Sequence, residues 1–216
     1  MTQTSPIIPK AAVRGTASGV LFLSFFGALW ACLGFVSLGG WGIPWLLIIA
    51  VLVSVALFVG GFSLRRAASQ LTDQVTAENA HYWKRAGRWF TIAFATQGIA
   101  IGVTSAMCGA TSHYELIIPL TALIVGVHFL PLAPLFRVKS YSITGTLLCV
   151  LSVITLLTVP STVTLHGQQI LLWWVIVGFG SALILWTTGL SLFLAGRRLL
   201  RVYASAQQMS VQNSLA

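Results

Sequence analysis

The stretch Gly126-Val127-His128-Phe129-Leu130-Pro131-Leu132-Ala133-Pro134 lies inside an apolar run that extends from about residue 115 to residue 136. A helix needs roughly 20 apolar residues to cross about 30 Å of hydrocarbon, so this run is long enough to span a bilayer. His128 is the ionisable group in the interior of the run, and two prolines follow it closely. The stretch therefore predicts a membrane-spanning helix with a polar interruption near its middle.

The rest of the chain has the same apolar character. Hydrophobic residues make up 57% of the 216 residues and charged residues 7%, against about 25% charged residues in soluble domains. The apolar runs predict an all-α fold, a polytopic bundle of six transmembrane helices with no separate soluble domain. The expected spans cover about residues 16–38, 44–64, 89–110, 115–136, 140–159 and 170–195.

Basic residues are confined to one side of this predicted bundle. All 12 Lys and Arg fall in the expected tails, residues 1–15 and 197–216, or in the connections after the second and fourth spans. By the positive-inside rule, both tails lie in the cytoplasm. The rule also accounts for the net charge of +9, so we expect no nucleic-acid partner.

Charged side chains are absent from the interior of every expected span. Proton-coupled carriers rely on buried carboxylates and voltage sensors on rows of arginine, so both mechanisms lose their usual residues here. The sequence has no spacing of nucleophile and base, or of paired acids, that suits hydrolysis. Cys32, Cys108 and Cys149 show neither zinc-binding nor redox spacing. We therefore expect no enzyme, and no catalytic residue, metal or cofactor.

His128 and Gln97 are expected at the same depth. His128 precedes Arg137 by nine residues and Gln97 follows Arg88 by nine. At about 1.5 Å per residue, both side chains lie roughly 13 to 14 Å from the basic edge, close to the bilayer middle. Each of the other four spans has one small polar or sulfur-containing side chain near this depth: Ser24, Ser54, Cys149 and Thr188. If these side chains also point inward, they form a polar layer around the imidazole.

Pro131 and Pro134 are expected to interrupt the backbone hydrogen bonds of the helix beside His128. Neither proline can donate to the carbonyl four residues earlier, which belongs to Val127 or Leu130. In hydrocarbon those acceptors need a donor from a neighbouring helix, a water or a ligand. We expect a kink there and a small wet cavity on the cytoplasmic side of His128.

A purely structural interpretation stands beside the functional one. Histidine, serine and threonine often join membrane helices, and Gly98 and Gly102 form a small-xxx-small face suited to close packing. Trp30 and Trp186 lie away from the interfaces, where they either line a cavity or fill volume between helices. An intramembrane ionisable group is nevertheless a functional hypothesis by default, which keeps His128 as the leading candidate.

The segment from Ile124 to Phe136, followed by Tyr141 and Thr144-Gly145, resembles a stretch of small, uncharacterised bacterial six-span integral membrane proteins. Their shared pattern is G-(L/V)-H-F-(L/F)-P-L-A-x-L-F, leading into Y-x-x-T-G at the start of the next span. The resemblance covers about a tenth of the chain, and Pro134 departs from it. It implies a multi-pass protein of the bacterial cytoplasmic membrane, and it supplies no substrate.

Two functions remain open from the sequence. The first is an integral membrane protein of unclassified role with a small polar cavity around His128, in contact with the lipid bilayer and with a second copy or another membrane protein. The alternative is a carrier or channel for a small neutral or weakly polar solute. The candidate cavity contacts are His128, Gln97, Pro131, Pro134, Trp30 and Trp186.

Overall fold

The structure, a computed structural model, describes residues 10–38, 44–71, 77–136, 138–165 and 167–215. Six helices are long and apolar enough to cross a membrane, which confirms the predicted fold class. Residues 1–9 of the expected amino-terminal tail lie outside the described residues. The helices are α1 (Lys10–Val36), α2 (Pro44–Ser69), α3 (Ala77–Ala110), α4 (Ile117–Phe136), α5 (Lys139–Thr158) and α6 (Leu172–Leu215).

The helices extend past the expected spans at the end of the bundle that carries the described Lys and Arg side chains, here called the basic end. There α3 begins at Ala77, and α6 continues to Leu215, through the segment expected as a carboxyl-terminal tail. Leu200 and Tyr203 of α6 pack against a small cluster from α1 and α2, and this contact holds the helix beyond the membrane. Tertiary packing of an apolar face stabilises helices that would fray alone.

A β-hairpin occupies the connection between α5 and α6, where the sequence predicted only a turn. Strand β1 (Thr162–Leu165) pairs antiparallel with β2 (Gln168–Leu171). Gly167 has a φ of +80°, a conformation that glycine adopts without strain. Because Ile170 and Leu171 belong to β2, the sixth helix begins slightly later than expected, at Leu172.

Two glycine contacts bring pairs of helices unusually close. Gly34 of α1 faces Gly178 of α6, where an added Cβ on Gly178 would lie 2.6 Å from the Gly34 nitrogen. Gly126 of α4 faces Gly145 of α5, where an added Cβ on Gly126 would lie 2.8 Å from the Gly145 carbonyl oxygen. Small residues let membrane helices approach at the level of their backbones. The second contact fixes the part of α4 that carries His128.

Helix α3 lies at the edge of the bundle and packs mainly on α4. Gly98 and Gly102 do not make the close packing that the sequence predicted, because nothing in the structure lies within 4 Å of a Cβ placed on either glycine. Their pattern suits a helix contact, but α3 turns another face toward its neighbour. The peripheral position of α3 leaves space between it and α1.

Candidate ligand-binding cavity

A cavity of about 780 Å³ lies between α1, α3 and α4, with further walls from α5 and α6. On α1 its lining residues recur every three or four positions from Ala12 to Leu33, as expected for one face of a helix. The walls are largely apolar. The aromatic lining residues are Phe22, Phe26, Trp30, Phe90, Phe129, Phe136 and Tyr141.

His128 and Gln97 line this cavity from two neighbouring helices, α4 and α3. The His128 side chain is partly buried on this wall. Its ring also lies edge-on to the ring of Phe129, with 6.3 Å between centroids. The imidazole is therefore available to the cavity. A neutral imidazole has one N–H donor and one acceptor nitrogen.

Several polar side chains on the cavity wall have no hydrogen-bond partner among the described residues. They are the hydroxyls of Ser18, Thr121 and Tyr141 and the carboxamide of Gln97. Elsewhere in the spans, many hydroxyls bond back to the preceding helical turn, as Ser152 does to Leu148 at 2.9 Å, whereas Ser54 and Ser181 are buried without a described partner. Polar groups in hydrocarbon favour hydrogen-bond partners. Within the cavity, water or a ligand has room to supply them.

Tyr141 contributes the polar group that sequence reasoning missed. Its hydroxyl oxygen lies 2.8 Å from the position of a Cβ on Gly19, so this tyrosine reaches from α5 across to α1. Its ring contacts Phe129, the neighbour of His128, at 5.7 Å between centroids. From the sequence, Tyr141 was expected near the basic interface and in the segment that carries the resemblance, and not in the cavity. Its length and its position after Lys139 are signals that it can point into the membrane from the basic end.

The polar layer of six side chains does not form around the imidazole, because the four small members, Ser24, Ser54, Cys149 and Thr188, do not line the cavity. The Ser24 hydroxyl donates to the Ser54 carbonyl at 2.7 Å, joining α1 to α2. The hydroxyl oxygens of Thr144 and Thr188 lie 2.6 Å apart, joining α5 to α6. Cys149 contacts the carbonyl of Leu123 on α4. These groups join helices, and His128 and Gln97 remain as the members of the layer that reach the cavity.

The other candidate contacts are divided between the cavity and its surroundings. Trp30 is buried and lines the cavity. Trp186 is buried over Gly27 instead, and its indole nitrogen has no partner among the described residues. Pro131 and Pro134 lie on the exposed face of α4, whose helix continues through both. Neither proline lines the cavity, whose wall on α4 includes Leu132 and Phe136 between His128 and the basic end.

One side of the cavity faces the bilayer between α1 and α3. Helix α3 is held mainly by α4, and its ring contact with α1 is the edge-on pair Phe22 and Phe94, at 6.1 Å between centroids. We call this boundary the α1–α3 seam, defined by Phe22 and Phe94. Phe94 is 41% exposed. A pair of aromatic side chains at this position separates the cavity from lipid more weakly than a packed helix interface would.

Comparison with known proteins identifies no family for this chain. No protein-family model, curated protein or solved structure matches the chain. The function therefore has to be argued from the cavity itself. Its defining features are an apolar wall, the polar side chains of His128 and Gln97 on neighbouring helices, and hydroxyl groups without partners among the described residues.

Proposed function

We propose that this protein binds a small, neutral and weakly polar molecule inside the membrane, in the cavity between α1, α3 and α4. The observation that carries the proposal is the set of cavity-lining polar groups without protein partners, with Gln97 at its centre. A ligand that supplies hydrogen bonds to them, and apolar surface to the aromatic wall, stabilises the folded state. Binding sites for small molecules commonly combine apolar walls with a few placed polar groups.

Transport of the bound molecule is the second candidate. It is favoured by the length of the cavity, which follows α1 from Ala12, near the basic end, to Leu33. The apolar wall supports a weakly polar solute and argues against a water-filled channel for ions. The proposal assigns binding, to which an apolar wall with a few polar groups is suited.

The proposal includes an orientation, with both termini in the cytoplasm of a bacterial cell. Its support is the distribution of Lys and Arg. The oligomeric state, whether a second copy or another membrane protein binds, stays a prediction.

Cysteine labelling on intact cells tests the orientation. In a variant lacking the three native cysteines, Thr111→Cys and Gln70→Cys place single thiols at exposed positions at opposite ends of the bundle. A membrane-impermeant maleimide is expected to label the Thr111→Cys protein on intact cells, and to label the Gln70→Cys protein only after permeabilisation. The reverse pattern would place the termini outside.

A thermal-shift screen tests ligand binding at His128. Purified wild type is melted against a panel of metabolites, lipids and ions, beside His128→Ala and the control Val127→Ala. Val127 is 54% exposed and precedes His128 on α4. A ligand at 100 times its dissociation constant is expected to stabilise wild type and the control by about 2.7 kcal/mol, and the His128 variant by much less.

Two results of this screen contradict the proposal. In one, no compound stabilises wild type. In the other, a compound stabilises wild type and His128→Ala equally, which places its site away from the imidazole. A lower melting temperature of His128→Ala without any ligand effect assigns His128 a structural role.

A further inference from the structure

The shape of the cavity bears on the kind of molecule that fills it. From Ala12 to Leu33 the lining face of α1 rises roughly 30 Å at about 1.5 Å per residue, comparable to the thickness of the hydrocarbon core. A compact polar solute would fill a small part of such a space. A molecule with a long flexible chain can extend along this space from a head group near its middle and cover the apolar wall.

The charge of the wall bears on the head group of that molecule. The described residues that line the cavity include no Asp, Glu, Lys or Arg. A permanently charged group held there would be desolvated without a counter-charge, which costs several kcal/mol. The head group that fits this wall is therefore uncharged.

The polar side chains of the wall further restrict the chemical class of the head group. A neutral imidazole, the Gln97 carboxamide and the Tyr141 hydroxyl each offer a donor and an acceptor to the cavity. A hydroxyl both donates and accepts, so it can use either function of any of these three groups. A ketone or ester can only accept, and would leave the acceptors of the wall unpaired.

The α1–α3 seam supplies a route for such a molecule. A long-chain amphipath is dissolved in the bilayer and does not need an aqueous path. The seam is the side of the cavity where α3 has no packed helix beside it, and the Phe22 and Phe94 rings meet there. Rotation of exposed aromatic side chains is fast compared with movement of whole helices.

We propose that the cavity binds a single-chain lipid with an uncharged, hydroxyl-bearing head group, which reaches His128, Gln97 and Tyr141 from the bilayer through the α1–α3 seam. This inference rests on the proposed binding of a ligand in the cavity. It adds the chemical class of the ligand and the side from which the ligand arrives.

The test uses the full-length chain in phosphatidylcholine nanodiscs, with the native cysteines replaced and cysteines introduced by Phe22→Cys and Phe94→Cys. The probe is a hexadecanol analogue that carries a diazirine and an alkyne. Photolabelling of the unbridged protein is expected at cavity-lining residues, with competition by hexadecanol and not by hexadecane. Bridging the two thiols with a short bis-methanethiosulfonate reagent is expected to lower labelling at least tenfold, and reduction of the bridge to restore it.

Single-cysteine proteins treated with the same reagent control for modification alone, and recovery after reduction shows that the bridged protein is folded. Unchanged labelling after bridging overturns access through the seam. Equal competition by hexadecane, or labels confined to lipid-facing residues, overturns the hydroxyl-bearing ligand. If a polar compound stabilises wild type but not His128→Ala while the probe fails to label the cavity, this inference falls and the proposed binding function stands. If no compound binds at all, both fall.

Discussion

Replacing Gly126 with alanine is expected to lower the free energy of unfolding by about 1 to 3 kcal/mol, the usual range for overpacking a core. An added Cβ would meet the Cys149 sulfur at 2.7 Å, the Gly145 carbonyl oxygen at 2.8 Å and the Cys149 nitrogen at 3.0 Å. Two of these three atoms belong to the backbone of α5, so α4 and α5 must separate. The effect is therefore expected near the upper end of that range.

Gly98→Ala is the matched control for this prediction, because nothing lies within 4 Å of a Cβ at Gly98. Alanine favours a helix over glycine by roughly 0.5 to 1 kcal/mol, so the control is expected to be neutral or slightly stabilising. Unfolding in detergent micelles, followed by circular dichroism, compares the two variants with wild type. Equal stability of Gly126→Ala and Gly98→Ala would contradict the described α4–α5 contact.

The sequence was sufficient to predict the helical architecture because hydrocarbon leaves the backbone few choices. Apolar runs of adequate length must satisfy their own hydrogen bonds, and helices do this within one segment. The hairpin between α5 and α6 was missed for the opposite reason. Its four-residue strands are too short to show a clear alternation, and they lie where a membrane imposes no such requirement.

The candidate cavity could be predicted only in part. Helical rise fixes the depth of a residue, which is how Gln97 and His128 were expected at one level. The rotation of each helix about its axis is set by packing against neighbouring helices, and it cannot be predicted from the sequence alone. Ser24 and Thr188 lie near the same expected depth and turn to other helices. For the same reason, the sequence did not predict that the Tyr141 hydroxyl faces the cavity or that Gly98 has no neighbouring helix.

Filling the cavity with a larger side chain is expected to abolish ligand binding without unfolding the protein. Ile101 lines the cavity on α3, one turn from Gln97, and is partly buried. A tryptophan there would extend into empty space of about 780 Å³, so it has room to fit without displacing a helix. Filling of cavities commonly raises stability by about 0.5 to 2 kcal/mol. The melting temperature of Ile101→Trp without ligand is therefore expected to equal or exceed that of wild type.

Ile99→Trp is the matched control, because Ile99 is the same residue type on the same helix and is 68% exposed. Both variants add the same volume and the same indole, and they differ in whether the side chain enters the cavity. The control is expected to bind ligand as wild type does. A loss of binding in both variants would indicate a general disturbance of α3.

The most direct measurement is therefore the affinity of wild type, Ile101→Trp and Ile99→Trp for the compound that most stabilises wild type in the thermal-shift screen. Binding within the cavity predicts an affinity at least 100-fold lower for Ile101→Trp, about 2.8 kcal/mol, and unchanged within about twofold for Ile99→Trp. Wild-type affinity in a folded Ile101→Trp protein would contradict it and place the ligand elsewhere on the molecule.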